Sequence, residues 1–360
     1  MTVYYITLLL IVLFGFFTQN YDYVSDGSLS VNAVKHTKNS KKMFAILAII
    51  LILVAGLRYR VGTDYPAYYK GFILYAETFW ESLKNLDEPG YRLMCYILSF
   101  FTKEPAVSIL FASLITIGLS LAVIFNYTDK IILAVLFFVF LGCWHGSFNA
   151  VRQCMAAAIA FCGFQYARDK KFVKYILIIL LAFLFHRSAI IMLPLYFLIN
   201  NDIKFKNILL LILATVAVLL SYEYIMPMIG VLTEQEYSES NMYIWSSVNI
   251  LRILVACAPA IMFLVLRMGK VDSKEEKQYI NILVFHAVLM VMSSQSAYLA
   301  RSGLYSSFYC VIAIPEMLKK TSKSNKKFVT GFMLVMYLVF WLYEIKGSDS
   351  LSNFQWIWQR

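Results

Sequence analysis

Pro105 to Phe125 reads P-A-V-S-I-L-F-A-S-L-I-T-I-G-L-S-L-A-V-I-F. It carries no charge. At a rise of about 1.5 Å per residue, a helix of this length spans about 30 Å, the thickness of a bilayer's hydrocarbon core. The stretch reads as a membrane-spanning helix. Working outward from it, comparable apolar runs lie near residues 3–19, 43–57, 131–147, 149–167, 172–185, 188–200, 207–229, 248–266, 279–298, 302–318 and 328–345, twelve in all. Those at 172–185 and 188–200 are short for a full crossing, and Tyr91 to Phe101 is shorter still, which suits a re-entrant or interfacial piece. Composition agrees: 61% of the 360 residues are hydrophobic and 15% charged, against about 45–50% and about 25% in a soluble domain. The expected fold is an all-α polytopic membrane protein, a single integral membrane domain over residues 1–360. Met1 to Gln19 lacks a basic start and an A-x-A site, so it reads as a retained first span and not as a signal peptide.

A net charge of +11 could suggest a nucleic-acid binder, but the basic residues sit in short clusters between apolar runs. With alternating helices, one side carries the loops 20–42, 126–130, 168–171, 201–206, 267–278 and 319–327. With the adjoining Lys174, these hold 18 of the 22 lysines, which marks that side as cytoplasmic and puts both termini outside. The arginines do the reverse. Only Arg168 and Arg267 fall on the lysine side, whereas Arg58, Arg60, Arg92, Arg152, Arg187, Arg252, Arg301 and Arg360 fall at outer helix ends or in outer loops. Insertion topology explains the lysines and leaves the arginines unexplained. A guanidinium makes planar, bidentate contacts to phosphate, so an outer cavity lined by arginines suits a phosphorylated, membrane-held ligand. Structural pairing with nearby acids, such as Arg252 with Glu223, is the alternative.

The long outer loop, 58–104, starts Arg58-Tyr59-Arg60-Val61-Gly62-Thr63-Asp64-Tyr65-Pro66. From Ala67 to Lys84, Phe72, Ile73, Ala76, Phe79, Trp80 and Leu83 share one helical face, and Lys70, Glu77, Glu81 and Lys84 the other. That predicts an amphipathic helix lying in the interface or capping a cavity. Asp87-Glu88-Pro89-Gly90 breaks it, and Tyr91-Arg92 opens the next apolar piece. Asp64 and Glu88 are carboxylates beside anion-binding groups, able to take a proton from a sugar hydroxyl or simply to be solvated. Asn149-Ala150-Val151-Arg152-Gln153 puts Arg152 in a helix's first turn, where the macrodipole disfavours a cation. It needs an anion there, from the protein or from a ligand. Phe185-His186-Arg187-Ser188 joins two short helices below the outer surface, so His186 can act as acid, base or donor, or rest neutral against a carbonyl. His145 and His286 read as packed helix residues.

No Walker loop, HExxH, DxD or Cys/His ligand spacing occurs, so neither a metal nor another cofactor is indicated. The six cysteines (Cys95, Cys143, Cys154, Cys162, Cys257 and Cys310) read as small buried hydrophobes. No soluble part is large enough for a nucleotide-sugar fold, so any glycosyl donor has to be carried by a lipid.

Four segments, G-L-R-Y-R-V-G-T-D-Y-P-A-Y-Y (Gly56–Tyr69), E-P-G-Y (Glu88–Tyr91), V-R-Q (Val151–Gln153) and F-H-R-S-A-I-I-M-L-P (Phe185–Pro194), occur in the order in which the EpsG family carries them. The chain resembles that family, the Wzy-like polymerases of bacterial exopolysaccharide and capsule synthesis. The C-terminal third matches by hydropathy and by Arg301-Ser302-Gly303-Leu304-Tyr305. The resemblance implies a multi-pass protein of the bacterial cytoplasmic membrane, acting at its outer face on oligosaccharide repeat units linked to undecaprenyl diphosphate. Membrane lipids and other polysaccharide-assembly proteins are the implied partners. Arg58, Arg60, Arg152, Arg187 and Arg301 are the candidate diphosphate binders, and Asp64, Glu88 and His186 the candidate catalytic groups. Tyr65, Tyr91, Gln153 and Tyr305 are candidate substrate contacts. Arg58→Ala or Arg152→Lys is expected to stop polymer growth with expression intact. A lipid-linked oligosaccharide flippase, an outer-face ligase and a membrane O-acyltransferase are the competing readings.

Overall fold

Lipid offers no hydrogen bonds to the backbone, so a chain this apolar pairs its peptide groups within each segment and forms helices. The computed structural model describes residues 1–18, 38–201, 248–266, 273–294 and 300–360, with short pieces at 21–23, 34–36, 216–217 and 220–221 and residue 271. Among the described residues the fold is all-α apart from two short antiparallel pairs, Tyr21–Tyr23 (β1) with Val34–His36 (β2), and Arg58–Tyr59 (β3) with Gln355–Trp356 (β4). The chain packs as two compact units, Met1–Leu193 with Tyr337–Arg360, and Pro194–Met336; each is described by itself.

In the first unit the helices are α1 (Thr2–Phe17), α2 (Lys38–Gly56), α3 (Tyr65–Glu77), α4 (Phe79–Asn85), α5 (Pro89–Ser99), α6 (Ala106–Tyr127), α7 (Ile131–Phe140), α8 (Val151–Cys162), α9 (Phe164–Arg168) and α10 (Phe172–Phe185). α6 packs on α2 and α8, and α8 on α10. Small residues allow this. Ala156, Ala157, Ala158 and Ala160 are fully buried in α8. On α6, Ser113 and Ser120 return their hydroxyls to the carbonyls of Ile109 and Thr116 at 2.8 and 2.6 Å, so they pack as small side chains with no unmet polarity.

The second unit contains α11 (Leu193–Ile199), α12 (Ile250–Leu266), α13 (Lys274–Met292) and α14 (Ser302–Lys320), with α13 between α12 and α14. Its buried His286 meets the hydroxyl of Ser306 at 2.8 Å. α15 (Lys323–Lys346) leads back into the first unit, where Trp341 donates to His145 Nδ1 at 3.2 Å.

The described residues bear out part of the twelve expected spans, several of which the sequence marks as short. Three helices are long and apolar enough to cross a bilayer (Asn39–Gly56, Ala106–Tyr127 and Lys323–Lys346), and six apolar helices are shorter. The reason is local. The run expected over 131–147 stops at Phe140, where Gly142 takes a positive φ of 84° and His145–Phe148 forms a 3-10 turn. Gly163 divides α8 from α9, and 188–200 begins as a 3-10 turn, Arg187–Met192. Irregular backbone at such depth is tolerated where protein covers it, and Cys143, Trp144, His145, Ser147 and Phe148 are buried. The expected span 207–229 and Glu223 lie outside the described residues. All six cysteines are free, four of them buried.

The amphipathic helix expected over 67–84 is broken at Thr78 into α3 and α4. The break turns the second half, so Phe72, Ala76 and Phe79 are buried while Trp80 and Leu83 are exposed.

Candidate functional site

The arginine-bearing helix ends of the first unit meet at one face. Arg58 ends α2, Asn149 and Arg152 begin α8, His186 and Arg187 follow α10, and Glu88 precedes α5. The lysines at the opposite ends of α2 and α10 (Lys41, Lys42, Lys171, Lys174) lie away from it. The four sequence segments, from Gly56 to Pro194 along the chain, therefore pack together.

The first segment locks onto the third. Gly62 has φ +102°, and a Cβ there would come within 2.2 Å of the Phe148 carbonyl oxygen. Thr63 N–H donates to Asn149 Oδ1 at 2.7 Å. Gly62→Ala is expected to destabilise the protein by more than about 1–2 kcal/mol, because the left-handed backbone alone costs that much and the clash adds to it. A melting curve in detergent equal to wild type would refute this.

Glu88 is the hub. It is a non-glycine residue with φ +50°, and it is buried. Its Oε1 takes the His186 Nδ1 hydrogen bond and a longer one of 3.4 Å from the Arg187 N–H, and its Oε2 pairs with Arg152 Nη1 at 2.6 Å. The second segment is thus tied to the third and the fourth. Gly90 makes the approach possible, since a Cβ would meet Phe185 at 2.8 Å. Asp87 bridges two guanidiniums, Arg92 closely and Arg187 at 3.6 Å. Tyr75 lies between Arg92 and Arg152, at 5.6 and 5.8 Å, and Arg152 Nε also meets the Tyr68 hydroxyl at 3.4 Å.

Burial alone would raise the Glu88 carboxyl. The His186 hydrogen bond, the Arg152 charge and the Arg187 N–H outweigh it and hold Glu88 below the ordinary carboxylate value. A depressed folded pKa contributes stability that is complete above the unfolded value and lost as pH falls through the folded one. The melting-temperature gap between wild type and Glu88→Gln should therefore shrink between pH 5 and pH 3. A gap constant to pH 3 would contradict the ionised pair. Held this way, Glu88 is a poor proton acceptor but a good orienter. By taking Nδ1–H it leaves His186 Nε2 with the lone pair, on a ring that is partly exposed.

The structure places the remaining candidates as follows. Arg60 is exposed, with φ +53° and its guanidinium 5.2 Å from the Tyr59 ring. Asp64 precedes α3 without capping it and accepts from the Thr63 hydroxyl at 3.2 Å. Arg58 is 1% exposed and spends its donors on Val61 O, Ala55 O, Ser113 Oγ, Ser147 O and Phe148 O. Burial pulls it down to about 10, so it stays charged at neutral pH, but it has no open side for a ligand. Tyr65, Tyr91 and Gln153 are buried too and shape the site from behind. Arg301 and Tyr305 belong to the second unit; Arg301 is exposed before α14 and Tyr305 is buried within it.

The EpsG family model matches residues 41–357 and takes in all four segments. The chain belongs to the EpsG family. No curated protein and no solved structure matches it. EpsG membership makes the chain a membrane protein of polysaccharide biosynthesis, from a glycosyltransferase-like family of polymerases. Within that frame, sequence reading took Arg92 only as one of the arginines set opposite the lysines, and it missed Asp87, Tyr68 and Tyr75 as parts of the site. Asp87 beside E-P-G-Y was the available signal, whereas nothing in the sequence marked Tyr75 as the ring between two arginines.

Proposed function

We propose that this EpsG protein joins undecaprenyl-diphosphate-linked oligosaccharide repeat units at the outer face of the bacterial cytoplasmic membrane, with both termini on that side. The reading rests on one observation, the gathering of Arg152, Arg187 and Arg92 around a Glu88–His186 pair, with Arg60 exposed at the same face. His186 Nε2 takes the proton from the acceptor's hydroxyl. The oxygen attacks the anomeric carbon of the donor glycan, and the carbon–oxygen bond to the diphosphate breaks. Undecaprenyl diphosphate leaves with the electron pair. Arg152 and Arg187 keep guanidinium N–H groups beyond those taken by Glu88, Asp87, the Tyr68 hydroxyl and the Leu86 and Asn85 carbonyls, and these stabilise the charge growing on the leaving oxygen. Arg60 holds the distal phosphate, and Arg58 props the loop that carries Arg60.

The test is purified protein with a synthetic lipid-diphosphate repeat unit and no ATP. Wild type should give a polymer ladder. Arg152→Lys keeps the charge and loses the planar fork, so growth should fall by about 10²-fold or more. A variant as active as wild type would remove the diphosphate role of Arg152. Labelled lipid crossing between leaflets without chain growth would instead indicate a flippase.

A further inference from the structure

Residues 348–360 fold back across the loop that carries Arg60. Gly62 N–H donates to Ser350 O at 2.9 Å and Ile357 N–H to Leu57 O at 2.8 Å, and β4 pairs Trp356 with Arg58 and Gln355 with Tyr59. The far end is clasped by Arg360, which makes two bonds to the Glu104 carboxylate at 2.9 and 3.1 Å and one to the Tyr69 hydroxyl at 2.9 Å. A ladder of rings runs outward along this strap. Tyr4, fully buried, meets Phe354 at 5.9 Å; Phe354 meets Trp356 at 5.0 Å; Trp356 stacks on Trp358 at 4.9 Å with only 8° between the planes. The outermost ring, Trp358, is 65% exposed.

A rigid indole with one free flat face suits two partners, a bilayer interface and a sugar ring. Its surroundings favour the sugar. Gln355, Gln359 and Arg360 around it are exposed and polar, and Arg60 follows directly on the strand that the strap pairs with. The lipid-like surface of this unit is elsewhere and looks different. On α4 and α5, Trp80, Leu83, Leu93, Ile97 and Phe100 form an exposed apolar stretch, as an interfacial helix does.

We infer that Trp358, backed by Trp356, is a stacking platform for a pyranose ring of the glycan, a subsite that holds the sugar chain next to the diphosphate-binding arginines. The axial C–H face of the sugar lies on the indole, and its hydroxyls reach the flanking amide and guanidinium groups. The ring ladder and the clasp fix the indole before the ligand arrives, so little side-chain freedom is lost on binding. The inference rests on the polymerase reading above.

The experiment uses the full chain in detergent and lipid-free oligosaccharide fragments cut from the polymer that the wild-type protein makes, with binding followed by calorimetry. Trp358→Leu keeps an apolar side chain and removes the flat ring; Trp358→Tyr keeps a ring. Leucine should weaken fragment binding about tenfold, the scale of one aromatic contact, and shorten the polymer, while tyrosine restores most of both. Wild type that polymerises but binds no fragment, or Trp358→Leu that binds as wild type does, overturns the platform. So does a leucine variant whose sole defect is poorer membrane accumulation, which would mark Trp358 as a bilayer anchor. Wild type that makes no polymer at all overturns the polymerase reading itself, a different result from any of these.

Discussion

Glu88→Gln is expected to cut polymer growth by about 10²–10⁴-fold, the range a positioned acid–base group contributes. The carboxylate does two things that an amide of the same shape cannot do together. It accepts from His186 Nδ1 with one oxygen and pairs with Arg152 through the other. An amide that offers its oxygen to His186 turns its NH2 group toward the Arg152 guanidinium, donor against donor. The histidine tautomer and the arginine position are then both lost. His186→Gln should be as damaging, and the double variant no worse than either single one, because the pair acts as a unit. Asp64→Asn should cost a few-fold at most, since that carboxylate touches neither His186 nor Arg152. Polymer ladders read all four variants, and a melting curve on each shows that it is folded. Growth surviving in Glu88→Gln but vanishing in Asp64→Asn would transfer the base to Asp64.

Arg58→Ala has the largest expected effect on stability, in place of the activity loss with intact expression that the sequence suggests. Its guanidinium meets four carbonyls and one hydroxyl inside the protein, one acceptor for each of its five N–H donors. Its charge is further faced by the Phe148 ring at 4.7 Å. Truncation strands these acceptors away from water, at about 1–3 kcal/mol for each one left unmet. Relaxation will recover part of that, so a loss on the order of 3–5 kcal/mol is expected, the scale of breaking a buried charged contact. The protein should fail to accumulate in the membrane, or melt far below wild type with no ligand present. Arg58→Lys, with three donors and no fork, should fall between. An alanine variant that melts like wild type yet makes no polymer would restore Arg58 as a ligand-binding residue.

Much of this site was legible in the sequence as residue types in wrong company. The bias of the arginines to the helix ends opposite the lysines named Arg60, Arg92, Arg152 and Arg187, because a guanidinium near lipid needs a reason and hydropathy places it. Arg152 at a helix start called for an anion, and the fold supplies Glu88. The same logic could not separate Arg58 from Arg60. Two residues apart at a helix end they look alike, and a left-handed turn at Arg60 sends one inward and one outward. Glycines carried more than punctuation. Gly62 and Gly90 mark the two places where one segment's backbone lies against another's, which a single sequence does not reveal because the partner is about a hundred residues away.

The sequence by itself determined that this chain is a bundle of apolar helices, which helix ends carry lysine and which arginine, and that its four signature segments follow the EpsG order. Those are consequences of composition and local periodicity, which a bilayer reads directly. Only the tertiary structure decided which charges face each other: Glu88 against His186 and Arg152, Asp87 between Arg92 and Arg187, Arg58 turned into the core, and the last residues strapped over the first loop. These pairings depend on helix kinks at Gly142, Gly163 and Thr78 and on the packing of small residues on α6 and α8. Hydropathy is blind to both, because a broken apolar helix and a straight one have the same composition.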